Sequence, residues 1–333
     1  MRNKTGLVRA IAGTSAAILA ATLFSTTTLQ AQSYPSRPIT IVVPYPAGGP
    51  SDTLARVMAD GMRTSLGQPV IVENVTGAAG SLGTGKVARA AADGYTLGLG
   101  TWPTHVVNGA VYPLTYNLQS DFEPVVLLAH NSQMIVSKNA VPAKDLKELI
   151  AWLKANPDKA SQGTSGPGSA VHIAGLFFQK ATGTRFQFVP YRGTAPAMQD
   201  LLSGQIDLLI DLTSNSLPQV RAGLIRAYAV TSSSRVGAAP EIPTVDEAGL
   251  PGFYISTWHA LFAPQGTPKA IIAQLNAAAT KVLADTTLRQ RLTHLGMEIP
   301  PREQQTPEAL GAYHKAEIEK WWPIIKAAGI KSQ

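Results

Sequence analysis

The sequence predicts an α/β fold of two domains, each a mainly parallel sheet flanked by helices, the two joined by two crossing segments. Apolar strand-like runs alternate with amphipathic segments from residue 39 to the middle of the chain, and the alternation then begins again. The glycine-rich loops Tyr45–Asp52 and Gly77–Gly83 each follow an apolar run and open a helical pattern, and a third, Gly163–Ser169, opens a helical pattern much later in the chain. At 333 residues the chain is also long for one core.

The first 31 residues stand apart. Arg2, Lys4 and Arg9 make a basic start, Ile11 to Phe24 is rich in Ala, Ile and Leu, and Leu29-Gln30-Ala31 ends on a small residue, which is the pattern of a signal peptide cleaved near Ala31. Gly13, Thr14 and Ser15 interrupt the apolar stretch, which is short for a bilayer span. Export to the periplasm is therefore expected. The chain has no cysteine, so an exported domain here rests on its core rather than on disulfides. Loss of the three basic leader residues lowers the formal net charge from +7 to +4. The remaining positive charge is scattered, without the clusters that nucleic acid or an anionic lipid surface requires.

Past the leader, Ile39–Val43 reads as a strand, and the segment from Thr53 places Leu54, Met58, Met62 and Leu66 on one helical stripe. Strand Val70–Glu73, helix Leu82–Ala91, the turn Asp93-Gly94 and strand Tyr95–Leu99 continue the first domain. Residues 121–128 and 134–137 read as extended crossing pieces, and helix Lys144–Ala155 opens the second domain. There follow strand Ser161–Thr164, helix Ser169–Thr182, strand Phe186–Val189, helix Ala195–Ser203, strand Leu208–Asp211, helix Ser214–Ala222 and strand Ala227–Thr231. After a turn-rich stretch, Tyr254–Phe262 returns to the first domain. Helices Lys269–Leu283, Thr287–Leu295 and Pro307–Ala328 close the chain. The expected domains are 32–132 with 254–333, and 133–253. Loops at the carboxyl ends of the strands face the cleft between them, where ligands bind in such sheets.

The glycine loops suit an anion, since glycine lets amides turn outward and a helix N-terminus carries partial positive charge. Gly77–Gly83 has the spacing G-x-x-G-x-x-G rather than G-x-G-x-x-G, and no glycine loop continues into Lys-Ser or Lys-Thr, so nucleotide cofactors are not expected. His105, His130, His172, His259, His294 and His314 show no metal-ligand spacing, so no metal is expected either. Gly163-Thr164-Ser165-Gly166-Pro167 approaches a nucleophile elbow, with His172 nearby, and leaves an exported esterase as the rival reading. Its fifth position is Pro, however, and His172 lies on the helix that follows the same loop. Asp52, in the first turn of its helix, suits the dipole rather than an anionic guest. Among the basic residues near these loops, Arg192 is the one expected at the cleft.

Several longer stretches carry a resemblance. They include Val43-Pro44-Tyr45-Pro46-Ala47-Gly48-Gly49-Pro50-Ser51-Asp52, Gly67-Gln68-Pro69-Val70-Ile71-Val72-Glu73-Asn74 and Ala92-Asp93-Gly94-Tyr95-Thr96-Leu97. Val189-Pro190-Tyr191-Arg192-Gly193, Ile242-Pro243-Thr244-Val245 and Ala263-Pro264-Gln265-Gly266-Thr267-Pro268 follow. Over almost all of its length the chain resembles the Bug family, periplasmic receptors of tripartite tricarboxylate transporters. The resemblance implies a Venus-flytrap periplasmic-binding-protein fold, no chemistry, a small carboxylate ligand and membrane transporter subunits as partners, with the protein a monomer. A binding domain that feeds a sensor is a further alternative.

Carried over to this chain, the resemblance puts Tyr45, Ala47, Gly48, Gly49, Gly80, Ser81 and Thr101 on one wall, with Ser51 in the same first loop. Ser165, His172, Tyr191, Thr194 and Asp211 would form the other wall. Leu176, Leu212 and the pair Trp258-His259 depart from residues common in the family, and fewer polar groups suggest a less polar guest. Asp211 is the one candidate partner for an amino acid's ammonium. Tyr45, Trp102, Tyr191 and Trp258 favour a di- or aromatic carboxylate such as a phthalate-type diacid, although Trp258 suits a core position equally well.

Overall fold

The computed structural model describes residues 34–294, 296–327 and 329. The expected leader at 1–31, and the expected helix ends at Leu295 and Ala328, lie outside them. Strand β1 (Ile39–Val43) leads through a turn into α1 (Pro50–Leu66). Proline fits the start of α1 because the first helical amides have no intrahelical acceptor. The predicted stripe Leu54, Met58, Met62 and Leu66 is buried. The helix ends at Gly67, whose φ of 67° is left-handed and whose amide closes onto the Arg63 carbonyl.

Strand β2 (Val70–Asn74), helix α2 (Ser81–Ala88) and strand β3 (Thr96–Thr101) complete the first alternation. A π-helical turn at Pro103–Val107 then runs into α3 (Asn108–Val111), a stretch with no predicted helix. The two expected extended pieces at 121–128 and 134–137 are one strand, β4 (Phe122–Lys138).

Next come α4 (Leu146–Ala155), β5 (Ser161–Thr164), α5 (Ala170–Thr182), β6 (Gln187–Pro190) and α6 (Thr194–Leu202). Strand β7 (Leu208–Leu212), α7 (Thr213–Arg221), β8 (Ile225–Val230) and β9 (Ser256–Pro264) follow. Helices α8 (Lys269–Ala284), α9 (Thr286–His294) and α10 (Pro307–Ala327) come last. Asp145 and Ser169 stand just before α4 and α5 as caps, accepting the amides of Glu148 and His172.

Among the described residues the strands form one sheet in the order β2-β1-β3-β9-β4-β7-β5-β6, with β8 also paired to β4. Pairing is parallel within β2-β1-β3 and within β7-β5-β6, as strand-helix-strand units require, and antiparallel where β9 and β4 join the two sets. The long strand β4 binds β9 through residues 122–132, then binds β7 and β8 through residues 133–138. One continuous strand thus belongs to both lobes. At the changeover lie buried polar residues: Asn131 Nδ2 donates to Ser214 Oγ at 2.6 Å, and Thr213 Oγ1 donates to the Ser132 carbonyl at 2.9 Å.

Three apolar clusters fill the two lobes. Trp102, Val107, Phe122, Trp258, Phe262 and Leu310 pack together in the first, joined there by Ala170 and Ile173 of α5. Leu146, Leu149, Phe178, Phe186 and Ile210 fill one side of the second, and Met134, Met198, Leu201 and Leu209 the other.

Candidate ligand-binding cleft

The turn after β1 is held from below. Asp52, only 3% exposed, accepts the Gly48 amide and Arg56 Nε through Oδ2, each at 2.9 Å, and Asn74 Nδ2 through Oδ1 at 3.0 Å. Asn74 also donates to the Tyr45 carbonyl at 2.9 Å. Burial alone would raise the Asp52 pKa, but these bonds and the Arg56 charge hold it below the usual carboxylate value. Asp52 is therefore a strut for the loop and not a ligand contact.

Above this strut lies a cavity with a volume of ≈ 60 Å³, bounded by the Tyr45–Ser51 loop, by Thr101 and Pro103, by the loops at 165–171 and 193–195, by Leu212, and by Thr257 and His259 of β9. At roughly 10–15 Å³ per water-sized position, it has room for a compact molecule. None of its lining residues is Lys, Arg, Asp or Glu.

The lining includes the residues that immediately precede four helices: Gly49 before α1, Ser169 before α5, Gly193 before α6 and Leu212 before α7. Helices α1, α6 and α7 have no side-chain cap at these positions. The amides of a helix's first turn lack intrahelical acceptors, and the aligned peptide dipoles leave positive potential there. Four such ends around one uncharged cavity make a site for an anion built from backbone.

Hydroxyls and one imidazole add to it. Tyr45 Oη lies 3.1 Å from Thr101 Oγ1, which itself lies 3.1 Å from Thr104 Oγ1. Burial pushes the Tyr45 phenol up to about 12, against the opposing effect of its Thr101 bond, so it is a neutral donor. Ser51 Oγ lies 3.1 Å from His259 Nε2, joining α1 to β9. Burial, with the nearby His130, lowers His259 to about 4, so at neutral pH its ring is uncharged.

Of the residues that the sequence pointed to, Tyr45, Gly49, Ser51, Thr101, Ser165 and Thr194 are brought together at this cavity. The others are elsewhere, each for a physical reason. Ala47 and Gly48 sit on the exposed crest of the loop, and the Gly48 amide is already given to Asp52. Gly80 is a packing glycine: its φ is 89°, and a Cβ there would stand 2.7 Å from Thr104 Cγ2. Ser81 Oγ accepts from Asn108 Nδ2 at 3.1 Å.

His172 Nδ1 accepts the Gly168 amide at 3.1 Å, which shapes the 163–169 loop. Tyr191 Oη donates to Asp200 Oδ2 at 2.7 Å, and the residue is absent from the lining. Asp211 is fully buried and turned toward the Leu212 amide and Asn215, and burial raises its pKa to about 6 despite those bonds. Trp258 lies in the first lobe's core beside His105, Phe262 and Tyr313. Arg192 is also absent from the lining.

Ser169, Gly193, Leu212, Thr257 and His259 also line the cavity, beyond the residues expected from the sequence. Ser169 carried a usable signal, a serine at the start of a predicted helix. On β9, Trp258 faces the core while its neighbours Thr257 and His259 face the cavity, as strand alternation requires.

Residues 54–330 match the model of the tripartite tricarboxylate transporter family receptor. Among solved structures, the chain is similar to the periplasmic binding protein BugD, at 40% identity and a TM-score of 0.85, over 90% of this chain and 100% of that one. It is similar to MatC of Rhodopseudomonas palustris, solved with bound malate, at 39% identity and a TM-score of 0.84, covering 88% and 100%. It is also similar to a second R. palustris protein, solved with adipate, at 33% identity and a TM-score of 0.85, covering 90% and 100%.

Proposed function

The chain belongs to the Bug family of tripartite tricarboxylate transporter receptors, periplasmic solute-binding proteins and not enzymes, and from that premise we propose that it captures a small dicarboxylate in the cavity described above. The observation that carries this reading is the set of four helix starts, at Gly49, Ser169, Gly193 and Leu212, around a cavity without a charged lining residue. One carboxylate of the ligand rests on their first-turn amides, with the hydroxyls of Ser165 and Thr194 beside it. A charge-assisted hydrogen bond of this kind contributes about 1.5–3 kcal/mol, and each helix end about 0.3–2 kcal/mol more.

An amino acid fits less well. Its ammonium needs a counter-charge, and Asp211, the expected partner, turns to Leu212 and Asn215 away from the cavity. Support for an aromatic guest is limited to Tyr45, because Trp102 and Trp258 are core residues and Tyr191 is outside the lining. Malate and adipate in two similar structures point the same way. In this reading the protein is exported with cleavage near Ala31, works as a monomer and hands its ligand to the transporter's membrane subunits.

A thermal-shift screen of aliphatic mono-, di- and tricarboxylates, phthalates and amino acids tests the proposal. Stabilisation confined to diacids is the expected result. Stabilisation by amino acids alone would refute it.

A further inference from the structure

Two buried polar atoms on the β9 wall of the cavity have no hydrogen-bond partner: Thr257 Oγ1 and His259 Nδ1. Both residues are at most 2% exposed, they stand two apart on one strand, and both line the cavity. A buried polar atom left without a partner is destabilising, and of the twelve such side-chain atoms among the described residues these two are the ones on residues that line the cavity. Here two occur side by side on one wall of a ligand cavity.

We infer that Thr257 and His259 form an inner subsite for the second carboxylate of the ligand, and that His259 determines the preference for diacids over monoacids. The first carboxylate is held by backbone and by hydroxyls, which any monoacid could satisfy equally. The β9 wall offers what a monoacid's alkyl end leaves unused, namely a hydroxyl proton from Thr257 and a ring proton from His259. Ser51 Oγ, 3.1 Å from His259 Nε2, can donate to that nitrogen, which leaves the ring's own proton on Nδ1. The imidazole then donates to a carboxylate oxygen while staying neutral, consistent with its burial. A monoacid strands both groups, and a cavity with unpaired polar atoms rejects the analogue that cannot pair them.

The inference rests on the carboxylate reading above, and the test separates the two. Calorimetric titration with adipate against hexanoate, and with succinate against butyrate, compares wild type with His259→Phe and Thr257→Val. Wild type is expected to favour each diacid at least tenfold. His259→Phe should bring the ratio to within about threefold by weakening the diacid, with the monoacid little changed. Thr257→Val should weaken the diacid as well, yet raise the melting temperature of the ligand-free protein, because a methyl group replaces an unpartnered hydroxyl. A cooperative melt of each variant establishes that it is folded, and Thr257→Val serves if His259→Phe is not. Equal affinities for the diacid and monoacid in wild type would overturn the subsite while leaving the carboxylate reading intact, as would a His259→Phe variant that keeps the wild-type ratio. Silence from all four acids would overturn both.

Discussion

Pro46 and Gly193 meet across the cleft: a Cβ built on Gly193 would stand 3.0 Å from Pro46 Cγ. The first residue belongs to the loop after β1, the second to the loop before α6, and both loops line the cavity. Glycine at 193, with φ at 153°, lets them approach to this distance.

Gly193→Val should therefore hold the loops apart. The expected effect is a loss of at least tenfold in diacid affinity, about 1.4 kcal/mol, read by calorimetric titration. Small-angle scattering should show that ligand shrinks the radius of gyration of wild type but not of the variant. Unchanged affinity in the variant would mean that the contact plays no part in closure.

Asp52→Ala removes the strut under the Tyr45–Ser51 loop and leaves the Gly48 amide, Arg56 and Asn74 without their acceptor. Loss of a buried charged partner in such a network costs about 3–5 kcal/mol, and a partly exposed Arg56 places the value at or below the lower end. Urea unfolding measures it. Because the folded-state pKa of Asp52 lies below the ordinary value, the stabilisation is present above that ordinary value and is lost as pH falls through the folded one.

The alternation of strands and helices is legible in the sequence because its cause is local. The stripe Leu54, Met58, Met62 and Leu66 and the run Ile39–Val43 each report their own burial. That residues 121–128 and 134–137 are one strand is not legible there, since Asn131, Ser132 and Gln133 interrupt the apolar pattern. The Asn131 and Ser132 side chains meet Ser214 and Thr213, which arrive from distant positions, and the Gln133 main-chain amide meets Thr231. The site divides in the same way. Tyr45, Gly49, Ser51 and Ser165 were legible from loop composition, whereas Thr257 and His259 face the cavity through the pairing of β9 with β3 and β4.

His259 predicts an acid-sensitive fold. Its folded value of about 4 lies below the ordinary histidine value near 6.5, so between those limits the unfolded chain binds a proton that the folded chain does not. Stability from this source is complete above pH 6.5 and is lost as pH falls through the folded value. His130, on β4, is the titratable neighbour whose charge acts on it, and Ser51 and Thr101 are the polar residues facing it from α1 and β3. Between pH 7.5 and 4.5 wild type should lose about 2–3 kcal/mol more stability than His259→Phe, as measured by urea unfolding. His105, His130, His172 and His314 are lowered by burial too, so the variant should keep a residual slope of the same sign.

The most direct measurement of the central claim is calorimetric titration of succinate, malate and adipate into wild type and into the double variant Ser165→Ala/Thr194→Ala. The account predicts one site per chain in wild type for at least one of these diacids, and an affinity at least tenfold weaker in the double variant, which removes two hydroxyls from the cavity wall. Binding of equal strength in both proteins would place the carboxylate elsewhere and contradict the account.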